Sequence, residues 1–171
     1  MNYSKIKWPD VANGPGCRVS LFVSGCKRHC KNCFNDAAWR FDAGKEYNHT
    51  VMRSIIDIMR SPRCSGLSIL GGEPFEDENI SSVSATILYA KLHFPEKPVW
   101  VYSGYTYEEL VARRISAVDF ALHNADVLVD GPFVEELHDP SLVFRGSSNQ
   151  RIIDLKKTNE TGRVVLLEMP E

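Results

Sequence analysis

The chain has 171 residues, 43% of them apolar and 25% charged, which is enough for one domain with a real core and excludes a disordered chain. Lys plus Arg number 20 and Asp plus Glu 22, so the net charge is −2 and a global basic footprint for nucleic acid or an anionic membrane is excluded. No apolar run approaches the roughly 18 residues of a membrane span. Residues 1–9 carry no apolar segment of the secretory kind. The expectation is one soluble, cytoplasmic domain over residues 1–171, with no nucleic acid and no membrane among its partners.

Residues 17–23 alternate apolar and polar and are predicted as a strand. The next dozen residues are polar and cysteine-rich, without a period, and are predicted as a loop. Val51, Ile55 and Ile58 beside Met52, Ile56 and Met59 predict a helix over 50–60 with Thr50 as its cap. Residues 67–70 form a short apolar strand that stops at Gly71-Gly72. Ile80, Val83, Ile87 and Ala90 predict a helix over 76–93, acidic in its first turn and closed by Pro95.

Residues 98–102 are predicted as a strand, and Thr106-Tyr107-Glu108-Glu109 as a capping box opening another helix. A strand over 125–129 ends at Asp130-Gly131-Pro132, and 164–167 predicts a last, peripheral strand in a C-terminal tail over 156–171. Alternating strands and helices favour an α/β fold with a mostly parallel sheet and right-handed crossovers. Four such strands cannot close an eight-stranded barrel, so the expectation is an open or partial (β/α) barrel. Ligands of such folds collect beyond the carboxyl ends of the strands. The unusual segments all follow strand ends, so they are expected to converge on one rim.

Five cysteines are present: Cys17, Cys26, Cys30, Cys33 and Cys64. An odd count, with three thiols inside residues 26–33, argues against a disulfide framework. Cys26, Cys30 and Cys33 stand at spacings of four and three, which lets a loop curl around a compact object with its sulfurs inward. A structural zinc wants four ligands, with Cys17 or His29 completing the set. An iron–sulfur cluster takes thiolates, and three of them leave one iron of a four-iron cube open. From spacing alone, zinc and cluster stand level.

Gly25-Cys26-x-x-x-Cys30-x-x-Cys33-Phe34, followed downstream by Gly71-Gly72-Glu73-Pro74, resembles the radical S-adenosylmethionine superfamily. Asn13-Gly14-Pro15-Gly16-x-Arg18, running into residues 21–26, is similar to the glycyl-radical-enzyme activases within it. The segments 129–133, 139–142 and 145–150 resemble the branch that serves anaerobic ribonucleoside-triphosphate reductases. The likeness runs from about residue 2 to residue 155.

The resemblance implies that Cys26, Cys30 and Cys33 ligate a [4Fe-4S] cluster whose fourth iron is chelated by S-adenosylmethionine. It implies reductive cleavage of that sulfonium to a 5′-deoxyadenosyl radical. The radical then takes a hydrogen atom from a glycine of the large reductase subunit, with an electron donor such as flavodoxin. Gly71, Gly72 and Glu73 are implied to meet the methionyl ammonium, and Asn32, Cys33 and Phe34 the rest of the cofactor, with Phe34 beside the adenine. Glu73 stands where the family often carries Asp. No catalytic side chain is implied, since the chemistry is carried by the cofactors.

Lys27, Arg28 and Lys31 interleave the cysteines, either as cations near the cluster or as a solvated loop. The Gly14-Pro15-Gly16 turn lies near the partner's point of entry in related activases, with Arg18 its expected anchor or one half of a salt bridge. Asp130 is either a cation or substrate-loop contact or the end of a Gly-Pro turn. Two other readings stay open: activation of a different glycyl radical enzyme, and a non-catalytic zinc module that docks a partner.

Overall fold

The computed structural model describes residues 1–169. Its strands are β1 (Asn2–Asp10), β2 (Arg18–Val23), β3 (Lys45–Glu46), β4 (Gly66–Gly71), β5 (Val99–Tyr102), β6 (Val127–Asp130) and β7 (Arg151–Asp154). Its α-helices are α1 (His49–Met59), α2 (Asp77–His93), α3 (Tyr107–Ala112), α4 (Ser116–Asn124) and α5 (Leu155–Thr161). The strands join one sheet in the order β3-β1-β2-β4-β5-β6-β7. The middle four, β2, β4, β5 and β6, run parallel, and β1, β3 and β7 are antiparallel additions at the two ends.

The parallel register follows from the sequence pattern. Val19, Leu21 and Val23, Leu67 and Ile69, Val99 and Val101, and Leu128 fall at alternate positions and pack in one core with α1, α2 and α4. Ile55 and Met59 of α1, Val83 and Ile87 of α2, and Val118 and Leu122 of α4 supply the helical side, all fully or almost fully buried. The intervening residues point to the opposite face. There Trp100, Val127, Val129 and Ile152 form a second, smaller cluster with Tyr102 and Phe144 beside it.

Several expectations are corrected. Asn48, not Thr50, caps α1: its side chain accepts from the backbone N–H groups of Thr50 and Val51. The sequence was expected to give a strand over 164–167, but Leu166 forms only an isolated bridge to Ile153. β1, β3, β7, α4 and α5 are elements the sequence reading did not separate from their surroundings. The capping box at Thr106 and Glu109 is present, with both reciprocal bonds made.

A buried polar group ties the strand starts together. Arg18 is 1% exposed, and its guanidinium donates to Ser68 Oγ at 2.7 Å and to the carbonyl oxygens of Leu67 and Pro98 at 2.7 Å each. Burial pulls its pKa down to about 10. It forms no salt bridge among the described residues, and it reaches the Pro15 carbonyl at 3.4 Å, so it does anchor the 14–16 turn. That turn packs at the starts of β4 and β5, away from the strand ends that carry the cysteine loop. A Cβ at Gly16 would lie 2.3 Å from Ser65 Oγ.

Candidate functional site

The carboxyl ends of β2, β4, β5 and β6 do converge. Cys26, Cys30 and Cys33 line one cavity together with Gly71, Gly72 and Glu73, and its space is about 620 Å³ when the open mouth is counted. Phe34, Tyr102, Gly131 and Gln150 complete the wall from the other loops. None of the cysteines is in a disulfide. Cys17 lies apart on the strand-start side, and Cys64 is buried in the helical core.

The local chain explains the geometry. β2 ends at Val23, and the loop is then held by main-chain bonds: Gly25 N–H donates to Ala38 O at 2.7 Å and Cys26 N–H to Trp39 O at 3.0 Å. Cys33 N–H closes a turn onto Cys30 O at 3.1 Å. His29 and Asn32 take positive φ of 48° and 53° as the backbone curls. His29 stacks on Trp39 with centroids 4.5 Å apart, so its ring faces an indole and not the cavity's thiols.

Gly71 and Gly72 sit where β4 meets this loop. A Cβ at Gly71 would lie 2.6 Å from Val23 O, and one at Gly72 would lie 2.5 Å from Gly25 O. Gly71 also has φ of 115°, a conformation open to glycine. The next two amides are therefore free to zip onto β2: Gly72 N–H donates to Val23 O and Glu73 N–H to Gly25 O, each at 2.8 Å.

Glu73 is 1% exposed, and its carboxylate accepts from Gly104 N–H at 2.7 Å, Ser103 Oγ at 2.9 Å and Phe75 N–H at 3.0 Å. Burial outweighs these bonds and pushes its pKa up to about 7. The sequence presented Glu73 as a simple negative charge. The structure shows a carboxyl whose charge is balanced near neutral pH and whose oxygens already bind the β5 loop. Burial also pushes the Cys26 thiol up, with backbone N–H groups of Arg28 and His29 pulling the other way. Metal coordination deprotonates such a thiol outright.

Two buried side chains missed by sequence reasoning hold the site together. Asn79 Nδ2 donates to Ser24 O at 3.0 Å and Glu73 O at 2.9 Å, bridging the ends of β2 and β4. Glu76 accepts from Lys27 N–H at 2.9 Å, pinning the cysteine loop to the start of α2. Both lie in a stretch that reads as an ordinary acidic helix start, so only their burial distinguishes them.

The interleaved cations divide. Lys27 pairs with Glu78 at 2.8 Å and Lys31 with Glu135 at 2.7 Å, both well exposed. Only Arg28 lines the cavity, its guanidinium 4.6 Å from the Tyr105 ring centroid. The Asn32 side chain is turned to Glu135, so its amide is engaged outside the cavity. Phe34 is 80% exposed at the mouth, an unusual position for phenylalanine. Asp130 is 1% exposed and bonded to the Arg151 guanidinium through both oxygens, with Tyr107 N–H at 2.7 Å. Its carboxylate is thus occupied by a guanidinium where a cation or substrate-loop contact was considered.

The residues fit an iron–sulfur cofactor. Three unbridged thiols face one cavity beside a glycine turn too tight for any Cβ. Among the described residues no three His, Cys, Asp or Glu side chains are grouped to hold a single metal ion.

A sheet with cysteines gathered beyond its parallel strand ends defines a cofactor-binding α/β protein, and comparison with known proteins sharpens that class. The model of a family described as a 4Fe-4S single cluster domain matches residues 12–153. The anaerobic ribonucleoside-triphosphate reductase-activating protein of Escherichia coli (strain K12) is 38% identical over 158 residues, 91% of this chain and 100% of that protein. The protein of the same name from Vibrio cholerae serotype O1 is 40% identical over 154 residues, 89% of this chain and 97% of its own. That of Enterobacteria phage T4 is 34% identical over 152 residues, covering 89% and 93%. The chain belongs to the 4Fe-4S single cluster domain family and, within it, to the anaerobic ribonucleoside-triphosphate reductase-activating proteins. No helix among the described residues is long and apolar enough to cross a membrane.

Proposed function

We propose that this protein is a radical S-adenosylmethionine enzyme that activates the large subunit of anaerobic ribonucleoside-triphosphate reductase by creating a glycyl radical on it. The observation that carries this reading is that Cys26, Cys30 and Cys33 share one cavity with Gly71, Gly72 and Glu73. The three cysteines would hold a [4Fe-4S] cluster, and the glycine turn would receive S-adenosylmethionine. When bound, these groups supply reductive sulfonium cleavage and hydrogen-atom abstraction from glycine.

The chain's own residues do the rest. Gly71 and Gly72 let the backbone approach the methionyl end, and Glu73 offers that ammonium a carboxylate ionised above about pH 7. The main chain at Asn32 and Cys33 would meet the cofactor, and the exposed Phe34 ring would lie beside its adenine. Arg28 adds the one loop cation on the cavity wall. On this reading the sheet serves as a partial barrel within a single domain, and the protein works in the cytoplasm with an electron donor such as flavodoxin.

The open mouth explains the need for a macromolecular substrate. A reactive radical must be kept from water, and a cavity this open is sealed only when a partner plugs it. The test is analytical: anaerobic reconstitution should give a brown protein with about four irons and four sulfides per chain. A colourless protein with one zinc would overturn the reading.

A further inference from the structure

A second lobe continues from the cysteine cavity. The two share Phe34, Leu70, Tyr102, Phe133 and Gln150 as walls, and the space of the second is about 670 Å³ with its open mouth counted. Arg145 lines the second lobe and not the first, and it is the one charged side chain there. Its guanidinium makes one hydrogen bond, Nη1 donating to Gln150 O at 2.7 Å, and among the described residues it has no ion pair. The rest of its donor fork is uncommitted.

The fork is held in place before any ligand arrives. Phe144 takes φ of 58° and packs edge-on to Trp100 with ring centroids 5.6 Å apart, so the chain enters Arg145 from a fixed residue. On the other side, the Gln150 side chain accepts from Gly146 N–H at 2.9 Å and Ser147 N–H at 3.2 Å and donates to Gly131 O at 3.0 Å. The loop over 145–150 is therefore closed by its own hydrogen bonds and presents the guanidinium to the lobe. Less side-chain freedom is left to lose when a ligand binds.

The chemistry of the lobe selects the ligand. An unpaired guanidinium among aromatic walls calls for an anion, and its planar fork matches a carboxylate. A phosphate would meet a single cation, and the Gly146 and Ser147 amides that could join it are already given to Gln150. On the function proposed above, the charged groups of S-adenosylmethionine lie with the cysteines and the glycine turn, and its adenosine end is neutral. The carboxylate is then supplied by the polypeptide that closes the open mouth.

We propose that Arg145 is a substrate-recognition residue: in the second lobe its guanidinium pairs with the carboxylate of an acidic side chain on the glycine-bearing segment of the large reductase subunit. The proposal rests on the function argued above and adds to it the charge by which the polypeptide is read.

The experiment measures the affinity of the large subunit for anaerobically reconstituted wild type and variants. Arg145→Gln should weaken it about ten- to a hundredfold, the loss of a charge-assisted pair, and Arg145→Lys should recover part of that. The loss should shrink as salt is raised, which the removal of a purely structural bond to Gln150 would not produce. Arg53→Gln, the same change of charge at an exposed site on α1, should bind as wild type does. Leu142 lines the second lobe alone, so its variants spare the hydrogen bonds of the loop and keep the test decisive if Arg145→Gln folds poorly. Leu142→Glu should bind the subunit about tenfold more weakly than Leu142→Lys, because it offers Arg145 a competing carboxylate and repels the incoming one. Equal affinities for those two variants overturn the proposal, as does subunit binding by Arg145→Gln at the wild-type level. A fall in S-adenosylmethionine affinity with subunit affinity intact also overturns it and assigns Arg145 to the cofactor. A wild type that binds no large subunit would instead defeat the functional reading, and the proposal with it.

Discussion

The side-chain amide of Asn79 donates to the main-chain oxygen of Glu73 at 2.9 Å, and the same nitrogen reaches Ser24 O at 3.0 Å. One buried helix residue thereby fixes the spacing between the loop that carries the cysteines and the turn that carries the glycines. The clamp adds to the main-chain bonds by which Gly72 N–H and Glu73 N–H already reach Val23 O and Gly25 O.

Asn79→Ala should lose both bonds and leave the Ser24 carbonyl without its donor, while Glu73 O keeps Glu76 N–H at 3.3 Å, destabilising the protein by about 1–2 kcal/mol. Urea unfolding monitors the loss. Because the clamp sets the distance between cysteine loop and glycine turn, affinity for S-adenosylmethionine should fall as well. A variant as stable as wild type would show that the clamp is incidental.

Glu73 gives a pH signature. Its folded pKa, about 7, lies above the ordinary carboxylate value of 4.5, so the folded state holds the proton more tightly than the unfolded state does. Stability associated with this group is full below about pH 4.5 and is lost as pH rises toward and through 7. Glu73→Gln cannot ionise, so its stability relative to wild type should improve between about pH 5 and pH 7 and level off by pH 8, whatever its fixed difference. Chemical denaturation at several pH values measures that gap, and a pH-independent gap would refute the assignment.

Arg18 carries strand-start stability and no role in the cavity. Arg18→Met keeps the volume but removes the donor to the Leu67 and Pro98 carbonyls and to the Ser68 hydroxyl, the last two of which keep one other partner each, at about 2–3 kcal/mol. Arg18→Lys should recover only part, since a point charge cannot reach three acceptors in a fork. Equilibrium unfolding of the two variants against wild type checks the order, and iron content after reconstitution should stay at the wild-type level in whatever fraction remains folded.

The five cysteines separate into two groups. Cys26→Ser, Cys30→Ser and Cys33→Ser should each lose most bound iron after anaerobic reconstitution. Cys17→Ser and Cys64→Ser should retain it, because neither lines the cavity. Iron and sulfide analysis with absorption spectra reads the difference. Iron loss in Cys17→Ser equal to that in Cys30→Ser would mean a different ligand set.

Much of this was legible from local pattern. Residues 24–35 lack any period and hold three cysteines, and Gly71-Gly72 ends an apolar strand. Both features belong to short stretches of chain, and the rule that ligands gather beyond parallel strand ends brings them together. The antiparallel additions were not legible for physical reasons. β1 contains lysines, a tryptophan and a proline whose alternation is half-exposed, and β7 has only four residues directly after a polar loop. Asn79, Glu76 and Arg18 were hidden because their partners lie far away in sequence, Ser68 being fifty residues from Arg18. A lone Asn in a helix start reads as solvated until its burial is seen. Phe34 shows the reverse case, an aromatic residue that composition assigns to a core and the fold leaves at a cavity mouth.

The most direct measurement is electron spin resonance on a mixture of the reconstituted protein, S-adenosylmethionine, a low-potential reductant and the large reductase subunit. The account expects a glycine-centred radical on the large subunit that is absent when Cys26, Cys30 or Cys33 is replaced by serine. Complete mixtures that hold a reduced four-iron centre and still give no such signal would contradict it.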